Sequence, residues 1–239
     1  MSSDAVLWNL ERESGGAAYL HELSSSFDQR VVRVNQVTSS AAVLSSTQNS
    51  SILDHAVVAG ADIDVVKRHS GGGMVRLDPG AQLWIDIFLP RTDPLWVDDV
   101  SRSGDWLGAA WVRALDALGV DDLALWTDRL SDPELGRIVC FAATGPGEVT
   151  SGGRKLVGVS QRRSRAGARY QCTVYLSHDP TSTLGLLDDI VVGQDQMDRL
   201  RSALGAGMAT LEEIAGSLVT RFNGGVIDQV IGAFVGELP

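Results

Sequence analysis

Residues 67–75 read Lys-Arg-His-Ser-Gly-Gly-Gly-Met-Val, and the consecutive glycines Gly71, Gly72 and Gly73 constrain this chain more than any other segment. Without Cβ atoms the backbone there can enter positive φ and lie directly against a neighbour. Apolar residues stand before the run (Ile63, Val65, Val66) and after it (Met74, Val75, Leu77), so the glycines join two strands. A plain hairpin turn needs only one or two residues with φ > 0. Three glycines exceed that need, and the cations Lys67 and Arg68 just ahead of them can meet a carboxylate or phosphate that the exposed amides also touch. The segment therefore reads as a contact loop for an anionic small molecule.

The rest of the chain alternates strand-like and helix-like segments. Leu83, Ile85, Ile87 and Leu89 alternate with Trp84, Asp86 and Phe88, the period of a strand, and Asp78-Pro79-Gly80 supplies the turn before it, so that a hairpin carries the glycine loop. Leu107, Ala110, Trp111, Ala114, Leu115 and Leu118 recur at helical spacing and stop at Gly119, a left-handed cap. Strands are predicted near 123–126, 137–143, 154–161 and 171–176. Residues 194–236 return to helix, with Thr210 and Glu213 spaced as a capping box before Ile214, Leu218 and Phe222. The pattern predicts an α+β fold of mixed β-sheets with peripheral helices, in a single domain over residues 1–239.

Composition narrows the class of function. With 239 residues and 44% apolar content, the chain can build an ordinary core. No apolar run approaches the ~18 residues of a membrane span, and the start Met-Ser-Ser-Asp-Ala-Val-Leu-Trp lacks the pattern of a secretory signal, so a cytoplasmic location is expected. Two cysteines, Cys140 and Cys172, with four scattered histidines make no metal-ligand pattern, and no metal is expected. A formal charge of −10 argues against general affinity for nucleic acid or anionic membranes. The exception is local. From Arg154 to Arg169 the chain carries six cations (Arg154, Lys155, Arg162, Arg163, Arg165, Arg169) and no acid, which fits either a solvated hairpin or a patch that steers an acidic partner.

A second motif, Gly153-Arg154-Lys155-Leu156-Val157-Gly158-Val159-Ser160-Gln161, follows the glycine loop. Together the two resemble the lipoate-protein ligase, octanoyltransferase and biotin-protein ligase family, whose lipoate branch carries Arg-Arg-x-Ser-Gly-Gly-Gly-x-Val and then Gly-(Arg/Lys)-Lys-(Ile/Leu/Val)-x-Gly-x-(Ala/Ser)-Gln. Val43-Leu44-Ser45-Ser46-Thr47-Gln48 also resembles the family's strand-end segment with a ligand-facing glutamine. The resemblance is strongest over 30–190 and leaves a helical part at 190–239. The Gly-Arg-Gly-x-x-Gly-Arg loop usual in biotin ligases is absent.

The resemblance implies attachment of a lipoyl or octanoyl group to a lysine of a lipoyl carrier domain. It assigns Lys155 to the acyl carbonyl, Arg68 to complementary charge, Ser70, Gly71, Gly72, Gly73 and Gly158 to the pocket backbone, and Gln48 and Gln161 to the pocket wall. Val43, Val75, Val157 and Val159 are candidates for its apolar lining. Two activation routes exist in the family. A ligase spends ATP and magnesium on an acyl-adenylate, whereas a transferase accepts a thioester. Ligases commonly carry Asn-Asp seven to eight residues before the lysine, where this chain has Gly147 and Glu148. Cys140, followed by Phe141, stands where cysteine octanoyltransferases place a nucleophile, and the cations Arg154 and Lys155 would favour its thiolate. Cys140 also has a bland reading as a buried strand residue, and Cys172 is the competing thiol.

Acyl transfer from a thioester is accordingly the expected function. The ATP-dependent ligase is the first alternative. A non-catalytic lipoate-binding subunit is the second, motivated by the missing Asn-Asp pair and by the short stretch after residue 190, where full-length relatives often carry an accessory domain. Expected partners are an acidic lipoyl carrier domain or glycine-cleavage-type carrier protein, with acyl carrier protein as a possible donor.

Overall fold

The computed structural model describes residues 7–214 and 225–239. Ten strands form two mixed sheets: β1 Asn9–Gly15, β2 Val31–Val37, β3 Ala41–Leu44, β4 Asp64–Lys67, β5 Val75–Leu77, β6 Gln82–Pro90, β7 Leu123–Leu125, β8 Val149–Ser151, β9 Arg154–Arg163 and β10 Gly167–Tyr175. The large sheet has the order β1-β2-β6-β10-β9-β8-β7, and the small one β4-β3-β5. β1 runs parallel to β2, and β4 parallel to β3; the other pairings are antiparallel.

The alternation in β6 decides the layering. Leu83, Ile85, Ile87 and Leu89 face a core closed by the helices Asp105–Ala117 and Val226–Gly236, where Trp111 stacks on Phe234 at 4.0 Å between ring centroids. Trp84, Asp86 and Phe88 face the opposite side, where Trp84 joins Val43, Leu77 and Leu20 beneath the small sheet. Trp111 is fully buried, so Trp111→Ala is expected to cost about 3–5 kcal/mol. A lowered denaturation midpoint with an unchanged denaturant slope would record that loss.

The α+β architecture with mixed sheets and peripheral helices is as the sequence predicts, and three local expectations are corrected. The turn at Asp78–Gly80 does not close a hairpin, because β5 pairs with β3 in the small sheet while β6 pairs with β2 and β10 in the large one. The predicted strand at 137–143 is instead a short helix, Leu135–Ile138, and a 3₁₀ turn, Cys140–Ala142. Its apolar residues made it look like a strand, but they pack against the glycine loop and the helix Gln194–Ala206 without a ladder partner beyond one bridge, Met74 to Val139. The helical stretch 194–236 is interrupted at residues 207–210, and among the described residues helices cover Gln194–Ala206, Leu211–Ile214 and Val226–Gly236. Its capping box is formed, with Glu213 N–H donating to Thr210 Oγ1 and Thr210 N–H to Glu213 Oε2, both at 3.4 Å. Leu218 and Phe222 lie outside the described residues. Among the described residues no helix is long and apolar enough to cross a membrane.

Candidate active site

Between the two sheets lies a narrow cleft with a cavity volume of about 30 Å³. Its floor comes from residues on one face of neighbouring strands: Trp84 on β6, Gln171 and Thr173 on β10, Gly158 and Ser160 on β9. The ladder pairs Trp84 with Thr173 and Thr173 with Gly158, so these residues form a row across the sheet. Val43, Val75 and Leu77 of the small sheet supply the roof. The His21 ring lies tilted against Trp84 with centroids 4.6 Å apart, and the Phe141 ring lies against Gly158, two strands away. The cleft thus runs across β10 from His21 to Cys140 and Phe141, a span of about 10 Å from two inter-strand spacings. That is comparable to an extended octanoyl chain.

The strand β9 brings Lys155 to this face through a β-bulge. Val149 pairs with Val157 but Thr150 with Lys155, so Leu156 is the extra residue. Leu156 and Val157 both face the core, and Lys155 shares the side of Gly158, which strict alternation would deny it. Its side chain is buried, and Nζ has three acceptors: Glu148 Oε2 at 2.7 Å, Ala143 O at 2.8 Å and Cys140 O at 2.9 Å. The ammonium also lies 4.8 Å from the centroid of the Phe141 ring. Glu148 is held in turn by the N–H groups of Gly145 and Val159.

Cys140 lines the cleft and is partly exposed, with Sγ 3.9 Å from Lys155 Nζ. Of the two cations expected beside this thiol, only Lys155 is there. Arg154 turns away, donating to Glu213 and to the Met208 carbonyl. Cys172 is fully buried on the opposite face among Ile85, Trp111 and Tyr170, and desolvation pushes its thiol up to about 12. It is not positioned as a nucleophile.

The glycine loop links β4 to β5 around the end of β3. Gly72 has φ +99°, in the region that disfavours side chains, and nothing crowds Gly71. Gly73 makes the close approach, and it does so to the chain itself: a Cβ there would stand 2.6 Å from Gly136 O and 2.8 Å from Cys140 N. The loop also binds Arg68, which is buried and donates to Ser70 Oγ and to the carbonyls of Val43, Gly71 and Gly73. Burial lowers the guanidinium's pKa, and its charge is set against carbonyl dipoles at the cleft wall. Gly73→Ala is expected to displace residues 136–140 and cost about 1–3 kcal/mol. Because Cys140 N donates to Met74 O, the same variant should alter the rate at which a thiol reagent labels Cys140, and unchanged labelling would count against the coupling.

The other sequence-derived site residues fare unequally. Val43, Val75 and Val159 line the cleft, whereas Val157 faces the core. Gln48 does not line it: its amide ties Ser45 N–H to the carbonyls of Arg137 and Ile138, bracing the segment that carries Cys140. Gln161 bonds Ser103 and Val100 instead. The cationic run is largely internal. Arg169 pairs with buried Asp86, and Arg163 stacks on Trp96 at 3.9 Å and donates to two carbonyls, leaving Arg162 and Arg165 exposed.

Several cleft residues lie outside the sequence motifs, namely His21, Trp84, Gln171 and Thr173, while Phe141 and Ser160 stand within the motif segments without having been assigned to the pocket. Asp86 had a visible signal, as an acid in the middle of an apolar strand. It is wholly buried and accepts from Trp84, Gln171, Asn35 and Arg169, which makes it the hub of the polar network under the cleft.

Residues 16–235 match the lipoyl protein ligase A/B catalytic domain, and the chain belongs to that family. It is an enzyme of the lipoyl ligase or transferase type. No curated protein matches the sequence. Among solved structures, a lipoate-protein ligase A bound with ATP superposes with a TM-score of 0.68 at 18% identity, covering 97% of this chain and 83% of that one. A bipartite lipoate protein ligase from Thermoplasma acidophilum, described with its E2 lipoyl domain, gives 0.70 at 15% identity over 98% of this chain and 84% of that one. A further T. acidophilum structure, with bound lipoic acid, gives 0.59 at 17% identity over 90% and 94%. At these identities the likeness establishes the fold.

Proposed function

We propose that the protein moves a medium-chain acyl group, octanoyl or lipoyl, from a thioester donor to a lysine of a lipoyl carrier domain by way of an acyl-enzyme on Cys140. The observation that carries this reading is the partly exposed thiol at one end of an apolar cleft of acyl length, with an ammonium 3.9 Å away. In the first step Cys140 Sγ, as thiolate, attacks the donor's carbonyl carbon; the new C–S bond forms, the donor's C–S bond breaks, and the donor leaves as a thiolate. In the second, the neutral amine of the acceptor lysine attacks the same carbon. A C–N bond forms, Cys140 departs as thiolate, and the amine's proton passes to solvent. Lys155 stabilises the oxyanion of both tetrahedral intermediates by exchanging its bond to Cys140 O for one to the acyl oxygen.

The donor fits an acyl carrier protein thioester, and the acceptor a lipoyl domain or glycine-cleavage-type carrier. Arg162 and Arg165 offer such an acidic carrier an exposed positive edge. The chemistry is tested by supplying octanoyl thioester, or lipoate with MgATP, to the protein and a lipoyl domain. Transfer from the thioester without ATP supports the reading. A second reading, the ATP-dependent ligase using lipoyl-AMP, draws support from the ATP-bound relative and predicts pyrophosphate release only when the free acid is present. The saturated ammonium of Lys155 favours a third, a lipoate-binding subunit without catalysis, for which both assays would be silent while lipoate still bound.

A further inference from the structure

The end of the cleft remote from Cys140 carries a polar group that an alkyl chain cannot use. His21 is 6% exposed, and its Nε2 is buried without a hydrogen-bond partner among the described residues. The network fixes which proton it holds. Asp86 Oδ1 can only accept, so the Gln171 amide turns its NH₂ toward Asp86, at 3.2 Å. The same Gln171 Nε2 stands 3.2 Å from His21 Nδ1, which must therefore accept. A neutral imidazole accepting at Nδ1 carries its proton on Nε2. Burial, followed by the charges of Arg169, Arg68 and His69, lowers the imidazole's pKa to about 3, so the ring is neutral at physiological pH. His21 lines the cleft together with the Trp84 ring, Leu77 and the Gln171 amide, and its N–H is a donor left without a partner among the described residues.

A buried donor without a partner is costly to the empty protein, and a ligand that pairs with it recovers that cost. A site holding such a group discriminates against analogues that leave it unpaired. We propose that His21 selects the chain end of the acyl group: Nε2–H donates to an acceptor at the terminus, so that a chain ending in a dithiolane ring is preferred to a plain alkyl chain of similar length. Sulfur is a weak acceptor, but the Trp84 ring beside His21 adds a favourable sulfur–aromatic contact. The inference rests on the acyl-cleft reading above and deepens it by naming the feature of the acyl group that is recognised.

The test is calorimetric binding of lipoate, octanoate and 7-oxooctanoate to the wild type, His21→Phe and His21→Gln. Phenylalanine keeps the ring on Trp84 and removes the donor; glutamine keeps an N–H donor. The wild type is expected to prefer lipoate and 7-oxooctanoate to octanoate. His21→Phe is expected to lower both preferences by about two- to tenfold, the worth of one hydrogen bond. His21→Gln is expected to retain part of each. His21→Phe should also raise the melting temperature of the empty protein, because an unpaired donor is gone. Unchanged affinity ratios in a folded His21→Phe protein would overturn the inference while leaving the acyl cleft standing. Should His21→Phe fail to fold, ratios in His21→Gln equal to those of a protein with no chain-end preference would overturn it instead. Failure of all three acids to bind the wild type would overturn the acyl-cleft reading itself.

Discussion

Lys155→Ala is expected to lower acyl transfer roughly 100- to 1,000-fold, the usual effect of removing one oxyanion donor, and to destabilise the protein as well. The second effect follows from burial. Lys155 and Glu148 have side-chain exposures of 2% and 5%, and their nitrogen and oxygen lie 2.7 Å apart. Removing the ammonium strands a buried carboxylate, a change that costs about 3–5 kcal/mol. The motif shows the lysine only as a group for the acyl carbonyl; that it is also an internal ion-pair partner appears only in the fold. The two roles separate in a double variant. Lys155→Met with Glu148→Gln removes both charges, so stability should partly return while transfer stays low. Recovery of transfer along with stability would take Lys155 out of the chemistry.

The architecture was legible because its signals are local and periodic. The alternation of β6, the helical spacing from Leu107 to Leu118 and the Thr210–Glu213 capping box each describe one element facing one core. The two motifs were legible for a different reason, since each is continuous in the chain. What the sequence concealed is long-range. His21 enters the cleft from a six-residue helix with no motif, and Ser160, Gln171 and Thr173 belong to the floor only because β9 and β10 pair in one register. The segment around Cys140 misled by composition: its valine, isoleucine and phenylalanine are apolar because they pack under the glycine loop, not because they form a strand. Gln48 reads as a ligand contact in the motif, yet its amide is spent on carbonyls 89 and 90 residues away in sequence. The β-bulge at Leu156 is equally invisible in the chain, and it alone puts the lysine on the cleft side.

Cys140→Ser is expected to abolish thioester-driven transfer and the covalent intermediate, while the protein stays folded and binds lipoate. Serine is nearly isosteric with cysteine, and the backbone bond from residue 140 to Met74 O is untouched. The loss is chemical. A hydroxyl needs a general base to become a nucleophile, and the cleft's one histidine stands at its far end and holds its proton on Nε2. A thiolate needs no such base. Cys172→Ser should leave transfer intact, since that thiol faces the opposite core.

The central claim is that the acyl group passes through Cys140, and intact mass spectrometry tests it most directly. Wild-type protein and Cys140→Ser are each mixed with octanoyl thioester in the absence of ATP and acceptor, and the adduct is located by peptide mapping. The account predicts that the wild type gains the mass of one octanoyl group on the peptide containing Cys140, that the adduct disappears when a lipoyl domain is added, and that Cys140→Ser gains nothing. A wild type that stays unmodified under these conditions, yet acylates the lipoyl domain from free lipoate with release of pyrophosphate, would contradict it.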